Sequence, residues 1–498
     1  MINRYDATSS YNSGLICQVS SSESKIQNKQ TTIIFNKSLE SGSVPKDWRA
    51  ANVCPTYKKG KRTSPENYRP VTLTSQICKL FEHIVREDLV QHLELNHLIS
   101  DTQHGFRKGR SCLTNLLVFL DEVTAGVDSG NCIDAIYLDF AKAFDKVPHQ
   151  RLIQKLRTHG ISGAVSRWII SWLSDRKQRV QITGVKSKWI EVTSGVPQGS
   201  VLGPVLFLIY INDLATDINK STTVLNFADD TKIFAVCNDD QDCAVLQNDI
   251  TKLDKWANTW QMKFNVDKCK TMHLGHGNIQ SKYQLDNKVL DSTHSEKDLG
   301  IWITDDMKLE YQTAEASKKA NRMLGLIKRT IIHKDHHILV ALYKSLVRPH
   351  LEYCCSAWSP RYVKDKECLE KVQHRFTRLF KDLRDLDYIS RLDRLGLWTL
   401  EERRNRADLI EVFKLCKGHT LLPLDRFFQL DTDRRTRGHS LKIRKPCCHK
   451  DIRKYFFSVR VINRWNSLSE DVIQSSSVNM FKRHLQKVRE RRMGFFMD

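Results

Sequence analysis

At 498 residues and 57.8 kDa, the chain is too long for a single hydrophobic core, and roughly three domains are expected. Its 40% hydrophobic content is typical of a folded protein, and it has no run of about eighteen uncharged apolar residues that could cross a membrane. The net charge of +22 indicates a polyanionic partner such as nucleic acid.

The N-terminus argues against a secreted protein, and the cysteines argue against a disulfide framework or a zinc site. Residues 1–30 are polar and serine-rich, so we predict a disordered segment that is not a signal peptide. The 14 cysteines are scattered without a framework, which predicts reduced and mostly buried thiols. Neither Cys447-Cys448-His449 nor the His-rich run at 333–337 has the ligand spacing of a zinc site.

The first third of the chain predicts a strand at 48–57, an amphipathic helix at 77–95 and a second helix at 112–127. Residues 103–111 form a basic loop with two glycines between these helices. Such a loop is equally consistent with contact to phosphates and with a plain surface turn.

Acidic residues follow two predicted strands. An apolar strand at 133–140 carries Asp139 near its end, where a carboxylate is costly unless it is solvated or bound to something. Further on, Phe227-Ala228-Asp229-Asp230 joins two runs rich in β-branched and aromatic residues, which predicts a hairpin with the acids at its turn. Most such pairs are simply solvated turns, but a divalent cation would relieve their repulsion.

The remaining elements change from mixed to helical along the chain. Gln198 lies in a Gly/Pro loop at 195–204, where the backbone can approach a ligand closely. Other predicted elements are helices at 152–156, 165–173, 205–214 and 242–260, strands at 179–183, 189–193, 264–274 (containing Lys268) and 299–303, then helices at 314–332, 338–347, 368–380 and 397–415 and an irregular helical unit at 456–485.

The positive charge is concentrated in the helical part. Residues 308–498 hold 42 Lys and Arg against 23 Asp and Glu, a surplus of 19 in a chain whose total is +22. We therefore expect a basic body that grips nucleic acid by its phosphates. The nearly neutral first part carries the acids. Three carboxylates, one after a strand and two on a hairpin, are what two-metal phosphoryl transfer requires, and their oxygens suit Mg²⁺.

Six motifs in order give the chain a specific resemblance to the reverse transcriptases of non-LTR retrotransposons, in particular the Jockey-like group. They are Asn67-Tyr68-Arg69-Pro70, Gln103-His104-Gly105-Phe106-Arg107, Tyr137-Leu138-Asp139-Phe140-Ala141-Lys142-Ala143-Phe144-Asp145, Gly195-Val196-Pro197-Gln198-Gly199-Ser200, Phe227-Ala228-Asp229-Asp230 and Lys297-Asp298-Leu299-Gly300. The resemblance implies an α+β, right-hand polymerase fold. Residues 31–307 would be fingers and a palm with an antiparallel sheet, 308–400 a helical thumb, and 401–498 a basic, mainly helical C-terminal region.

The resemblance also implies roles for single residues. Asp139, Asp229 and Asp230 would be the catalytic acids that hold two Mg²⁺ ions, with Mn²⁺ as a substitute. Lys268 resembles a general acid toward pyrophosphate, although a solvated strand lysine is an equal alternative. The other implied contacts are with the nucleotide (Arg69, Phe140, Phe144, Gln198) and with template or primer (Arg107, Gly199, Phe227).

We therefore expect an RNA-directed DNA polymerase that uses an RNA template, a DNA primer and dNTPs, resides in the nucleus and has no membrane partner. The family usually carries an N-terminal endonuclease that residues 1–30 do not match, so a truncated or partial element product is expected. Two alternatives remain: a maturase-like or telomerase-like polymerase, and a catalytically silent nucleic-acid-binding remnant. No protein partner is indicated.

Overall fold

The computed structural model describes residues 29–333, 335–431 and 438–497. The disordered N-terminus predicted at 1–30 lies outside the described residues up to residue 28, and residues 29 and 30 open a helix. The described chain is α+β, with two five-stranded sheets followed by a helical remainder.

The fingers combine a small mixed sheet with helices. Strand β1 (Ala50–Tyr57) pairs antiparallel with β2 (Tyr68–Leu73) and parallel with β4 (Lys177–Ile182), which comes from a later part of the chain. The elements of this part of the chain, up to residue 95, are α1 Lys29–Ser41, α2 Lys46–Arg49, β1 Ala50–Tyr57, β2 Tyr68–Leu73 and α3 Gln76–Leu95.

The palm is built on a five-stranded sheet whose strands lie in the order β12 (Asp291–Ser292), β9 (Lys270–Leu274), β3 (Ile133–Leu138), β8 (Asp230–Val236) and β7 (Thr222–Phe227). Strand β3 pairs antiparallel with both β8 and β9. The elements of the palm, with the returning fingers strands β4 to β6 between them, are α4 Cys112–Asp128, β3 Ile133–Leu138, α5 His149–Thr158, α6 Gly163–Leu173, β4 Lys177–Ile182, β5 Val185–Lys186, β6 Ile190–Glu191, α7 Gly203–Ile211, β7 Thr222–Phe227, β8 Asp230–Val236, α8 Asp240–Thr259, β9 Lys270–Leu274, β10 Gln284–Leu285, β11 Lys288–Val289, β12 Asp291–Ser292, β13 Ser295–Asp298 and β14 Ile301–Thr304.

The rest of the chain is helical. Its elements are α9 Glu310–Thr330, α10 His336–Leu342 with a π-helical turn at Tyr343–Val347, α11 Pro349–Glu352, α12 Cys355–Trp358, α13 Val363–Thr377, α14 Tyr388–Arg394, α15 Leu400–Cys416, α16 Asp451–Lys454, α17 Phe457–Arg460, α18 Ile462–Asn466, α19 Glu470–Ile473 and α20 Val478–Arg491.

Two hydrophobic cores organise these elements. One lies in the fingers and the lower palm. The other begins with α4 residues such as Leu116 and Phe119 and continues through the helical remainder to Trp465, Phe481 and Phe496. Palm, thumb and C-terminal region therefore share one core, although the sequence predicts them as successive domains.

Most predicted elements agree with the structure within a few residues, and one differs near the site. The strand predicted at 264–274 begins only at Lys270, and Lys268 ends a 3₁₀ turn instead. None of the helices that the structure describes combines the length and the apolar composition that a bilayer crossing requires.

Candidate active site

The Asp229–Asp230 pair lies at a tight hairpin. Phe227 and Asp230 pair across β7 and β8, so Ala228 and Asp229 alone form the turn. Ala228 has a φ of 56°, in the left-handed region, where a Cβ atom costs about 1–2 kcal/mol. The turn therefore needs support from neighbouring groups to keep this backbone shape.

Gln103 supplies that support from the loop at 103–111. Its buried side-chain oxygen accepts hydrogen bonds from the backbone N–H groups of Ala228 at 2.9 Å and Gly105 at 2.7 Å. A Cβ atom on Gly105 would lie 2.4 Å from the Ala228 nitrogen, so only glycine allows the loop to lie this close to the turn. The sequence places Gln103 in a motif but does not indicate this contact.

Asp139 reaches the same place from the neighbouring strand. It directly follows β3, which pairs with β8 from Ile133 to Leu138. Its Oδ2 atom accepts a hydrogen bond of 2.8 Å from the Lys268 ammonium. Lys268 therefore lies beside a catalytic candidate, exposed to solvent at the end of the 3₁₀ turn and not in a strand.

The three carboxylates lie near enough to repel each other. Burial, followed by repulsion from Asp229 and Asp139, raises the pKa of Asp230 to about 6. The pKa of Asp229 is also raised, mainly by burial, and the negative charge of Asp139 adds to the shift. A bound cation would relieve this repulsion between the carboxylates.

The donor set fits a divalent metal. The three side chains offer hard carboxylate oxygens from two adjacent strands, as Mg²⁺ requires. Among the described residues a more compact group is Asp134, Cys237 and Cys243. There the Asp134 carboxylate already accepts hydrogen bonds from Tyr283, His273 and Asn278, so it is a satisfied part of the core.

The acids face the fingers across a cavity of about 980 Å³. Lys58, Arg62 and Arg69 line its fingers side, and Asp139 and Asp229 line its palm side. Partial burial and repulsion from Arg69 lower the pKa of Lys58, which places these two cations close together. Of the sequence-predicted site residues, the cavity brings together Arg69, Asp139, Phe140, Phe144, Gln198, Asp229 and Lys268.

The Gly/Pro loop closes one side of this cavity. Gln198 donates from Nε2 to Asp145 Oδ1 at 2.9 Å, and its backbone oxygen accepts from Thr72 N of strand β2 at 2.7 Å. Gly199 has a φ of 105°, and a Cβ atom there would lie 2.8 Å from the Thr72 oxygen. The glycine therefore allows palm and fingers to touch beside the cavity.

Phe144 forms part of the floor of the cavity. Its ring stacks on Phe207 of α7 with centroids 4.4 Å apart and planes inclined by 16°. Phe106 packs edge-on against it at 6.4 Å. These contacts fix the ring while leaving it half-buried at the cavity surface.

Asp230 opens to a second cavity of about 390 Å³. Asp139 and Lys268 line both cavities, so the acids stand at the junction between them. Phe227 lines the second cavity, together with Lys297, Asp298 and Leu299 of the hairpin β13–β14.

Two residues that the sequence predicts to contact nucleotide or nucleic acid have side chains engaged within the protein. Arg107 lies outside both cavities, and its side chain, 7% exposed, donates hydrogen bonds to Glu94, Asp101 and the Ser100 carbonyl oxygen. It anchors the loop, and its contact with template or primer stays a prediction. Phe140 is 2% exposed, and its ring stacks on Phe264 at 4.2 Å, so its side chain belongs to the core and only its backbone can face a nucleotide.

Comparison with known families gives a direct match. Residues 57–327, more than half of the chain, match the sequence profile of the family described as "Reverse transcriptase (RNA-dependent DNA polymerase)". The matched range contains all three acids, all of the second cavity and most of the first.

Similar curated proteins come from transposable elements of Drosophila melanogaster. The probable RNA-directed DNA polymerase from transposon BS is 26% identical over 416 residues, which cover 78% of this chain and 45% of that protein. The RNA-directed DNA polymerase from mobile element jockey is 26% identical over 338 residues, covering 64% and 36%. The chain thus spans less than half the length of these relatives.

Among solved structures, a telomerase from Candida Tropicalis in complex with a fragment of telomeric RNA resembles the chain at a TM-score of 0.43 and 12% identity, covering 73% of this chain and 57% of that one. A score below 0.5 supports no conclusion about function.

Proposed function

Because the chain belongs to the reverse transcriptase family, we propose that it is an RNA-directed DNA polymerase that extends a DNA 3′ end on an RNA template with dNTPs. One observation carries the proposal: Asp139 and Asp229 face Lys58 and Arg69 across a single cavity large enough for a nucleotide. Acids on one wall suit metal binding, and cations on the other suit a triphosphate.

We assign metal binding, phosphate binding and proton transfer to different side chains. Asp139, Asp229 and Asp230 would hold two Mg²⁺ ions, with Mn²⁺ as a substitute. When bound, these ions lower the pKa of the primer 3′-hydroxyl and offset the charge of the triphosphate. Lys58 and Arg69 would bind the phosphates. Lys268, held near Asp139, is the candidate to deliver a proton to pyrophosphate.

The base and the sugar would be positioned by the other wall of the cavity. Phe144, held by Phe207, would pack under the sugar and disfavour a 2′-hydroxyl. Gln198, oriented by its bond to Asp145, would contact the new base pair. The template and primer would continue toward α9, which carries half-buried Lys319 and exposed Arg322 and Arg329.

Primer extension on an RNA template with dNTPs and Mg²⁺ tests the proposal. Asp229→Asn removes one negative ligand without changing the size of the side chain, and several kcal/mol of lost metal stabilisation correspond to a rate loss of about a thousandfold. Hybrid binding should remain. The matched control is Asp175→Asn, which removes an exposed carboxylate paired with Arg49 outside the cavities and should leave synthesis intact.

The competing function is a nucleic-acid-binding remnant without catalysis. It would be supported if wild type and Asp229→Asn both bound hybrid and both failed to extend it. The intact set of three acids at one junction favours the polymerase. We also propose nuclear residence, since the family primes on chromosomal DNA. Imaging of the tagged chain in cells tests this.

A further inference from the structure

A small cavity lies where the palm, the thumb and the C-terminal region meet. Its volume is about 90 Å³, and its walls come from helix α4, strand β14, the end of α12, the start of α13 and helix α16. It shares no lining residue with the two cavities beside the catalytic acids. The polymerase chemistry proposed above therefore does not use it.

Most of the wall of this cavity is apolar. Aliphatic side chains of α4 and β14 meet buried Trp358 and Phe456. At the mouth, Tyr362 and Tyr455 are exposed to solvent, and their rings lie 4.3 and 5.1 Å from the guanidinium carbon of Arg361. The mouth is thus an aromatic surface that already attracts one cation of the protein itself.

The cations that line the cavity are neutralised within the protein. Each has a carboxylate partner: Lys308 with Asp306 at 2.9 Å, Arg361 with Asp451 at 2.7 Å, and Arg460 with Asp408 at 2.8 Å. Of the charged residues that line the cavity, these pairs leave Asp365.

Asp365 is a buried carboxylate without a hydrogen-bonded partner. It is 5% exposed, and no group of the described chain donates a hydrogen bond to its side chain. Its place in the first turn of α13 favours a negative charge but supplies no bonded cation. Neighbouring Lys364 is engaged by Glu310 at 2.9 Å. Burial raises the pKa of Asp365, so a cation bound in the cavity would offset the cost of keeping this carboxylate charged.

The apolar walls decide which kind of cation fits. A simple ammonium or a guanidinium would bring N–H groups for which these walls offer few acceptors. A methylated ammonium has an apolar surface, and groups of this kind bind against aromatic rings. The group must also be compact, since an apolar cavity of about 150 Å³ takes up a single benzene molecule.

We propose that this cavity binds a small quaternary ammonium compound of the choline type, with Asp365 as its counter-ion and Trp358 and Phe456 among its walls. A free compound fits better than a lysine-rich peptide with a methylated side chain, because residues 308–498 carry 42 Lys and Arg against 23 Asp and Glu and would repel a basic chain. The ligand would contact the palm, the thumb and the C-terminal region at once, so its binding should stabilise their shared core.

Saturation-transfer NMR of the choline methyl signal, at an ionic strength held constant with NaCl, measures the binding. The neutral analogue 3,3-dimethylbutan-1-ol has the same shape without the charge. The wild type should bind choline about tenfold more tightly than this analogue. Asp365→Asn should abolish the preference and keep its affinity for the analogue, which shows that the variant is folded. The matched control is Asp175→Asn, an exposed carboxylate of the fingers, which should leave both affinities unchanged.

Thermal unfolding supplies a second readout. Choline at about ten times its Kd should raise the Tm of the wild type by about 1–2 °C and leave that of Asp365→Asn unchanged. Equal affinities of the wild type for choline and the analogue, an equal loss of both in Asp365→Asn, or no binding of either would overturn the proposal. A trimethyl-lysine peptide that bound more tightly than choline, and more tightly than its unmethylated form, would overturn the assignment to a free compound.

This site and the polymerase function stand or fall separately. The binding measurements use the full chain without nucleic acid, nucleotides or Mg²⁺, so a chain that extends no primer can still bind choline. Conversely, primer extension by a chain that ignores choline would support the polymerase and refute the quaternary ammonium site.

Discussion

Replacing Asp230 with Asn should stabilise the metal-free protein more at pH 8 than at pH 5. The pKa of Asp230 rises from 3.8 to about 6 in the folded chain, so the folded state keeps its proton where the unfolded state has lost it. Stability therefore falls as pH rises from about 4 to 6 and stays lower above that range. The neutral amide escapes this penalty.

The size of the effect follows from the shift and from the exposure of the side chain. About two pKa units would correspond to about 3 kcal/mol for a fully buried group. Asp230 is exposed to solvent on one side, and screening reduces the expected gain to about 1 kcal/mol. In a chain of this length that gain corresponds to about 1–2 °C in Tm.

Thermal unfolding in EDTA at pH 5 and pH 8 measures this difference. Asp291→Asn is the control, because the pKa of Asp291 is shifted in the opposite direction: Lys270 holds it below its usual range. Removing the exposed Asp291 carboxylate should therefore give no gain in Tm. Adding Mg²⁺ at pH 8 should raise the Tm of wild type but not of Asp230→Asn. An equal gain at both pH values, or a loss of stability at pH 8, would refute the repulsion argument.

Three further changes test other parts of the site. Gln103→Met leaves two buried N–H groups without an acceptor, which costs about 1–3 kcal/mol, and should lower Tm and kcat while hybrid affinity stays constant in a binding assay. Phe144→Ala should raise incorporation of rNTPs relative to dNTPs by about tenfold to a hundredfold in single-nucleotide extension, because the ring under the sugar is gone; an unchanged ratio would contradict its placement. Deleting residues 401–498 should give an unfolded protein by circular dichroism, since several buried aromatics at about 1.5–3 kcal/mol each approach the whole stability of a domain; a folded product would show that the shared core is dispensable.

The local parts of the site could be predicted from the sequence because they depend on neighbours along the chain. The run from Thr222 to Val236 alternates strand-forming residues around two acids, and the hairpin follows. Asp139 could be placed after its strand for the same reason. Bringing these elements together required only that β3 and β8 pair, which the resemblance to a known family implies.

The parts that could not be predicted depend on long-range contacts. Nothing near Arg107 in sequence shows that Glu94 and Asp101 neutralise it, and nothing near Phe140 shows that Phe264 covers its ring. Lys268 was placed in a strand because apolar residues flank it, whereas the chain turns there before β9 begins. In each case the residue type was informative and the partner was decided by tertiary packing.

In the basic C-terminal region, too, the partners of charged residues could not be predicted from the sequence. Its charge predicts a surface for nucleic acid, but much of that charge faces the protein itself. Arg426 pairs with Glu122, Arg453 bonds to Asp121 at 2.8 Å, and the Lys450 ammonium donates to the Val127 carbonyl oxygen, all on palm helix α4. Within the region and the thumb, further pairs are Arg403 with Glu352, Arg460 with Asp408 and Arg489 with Glu402.

The cations of the helical part therefore fall into two groups, those paired with carboxylates inside the protein and those that face solvent. Cations paired with internal carboxylates hold the C-terminal region on the palm and release no counterions when nucleic acid binds. The salt dependence of binding should follow the solvent-facing cations of α9 instead. There half-buried Lys319 lies near both exposed Arg322 and Lys297, which lines the second cavity. Partial burial and repulsion from Lys297 lower the pKa of Lys319, as expected for like charges assembled before a polyanion arrives. The same helix packs through Leu324 and Ile327 on the core that it shares with the C-terminal region, so the surface that we propose for the duplex is fixed to the same core as the paired cations.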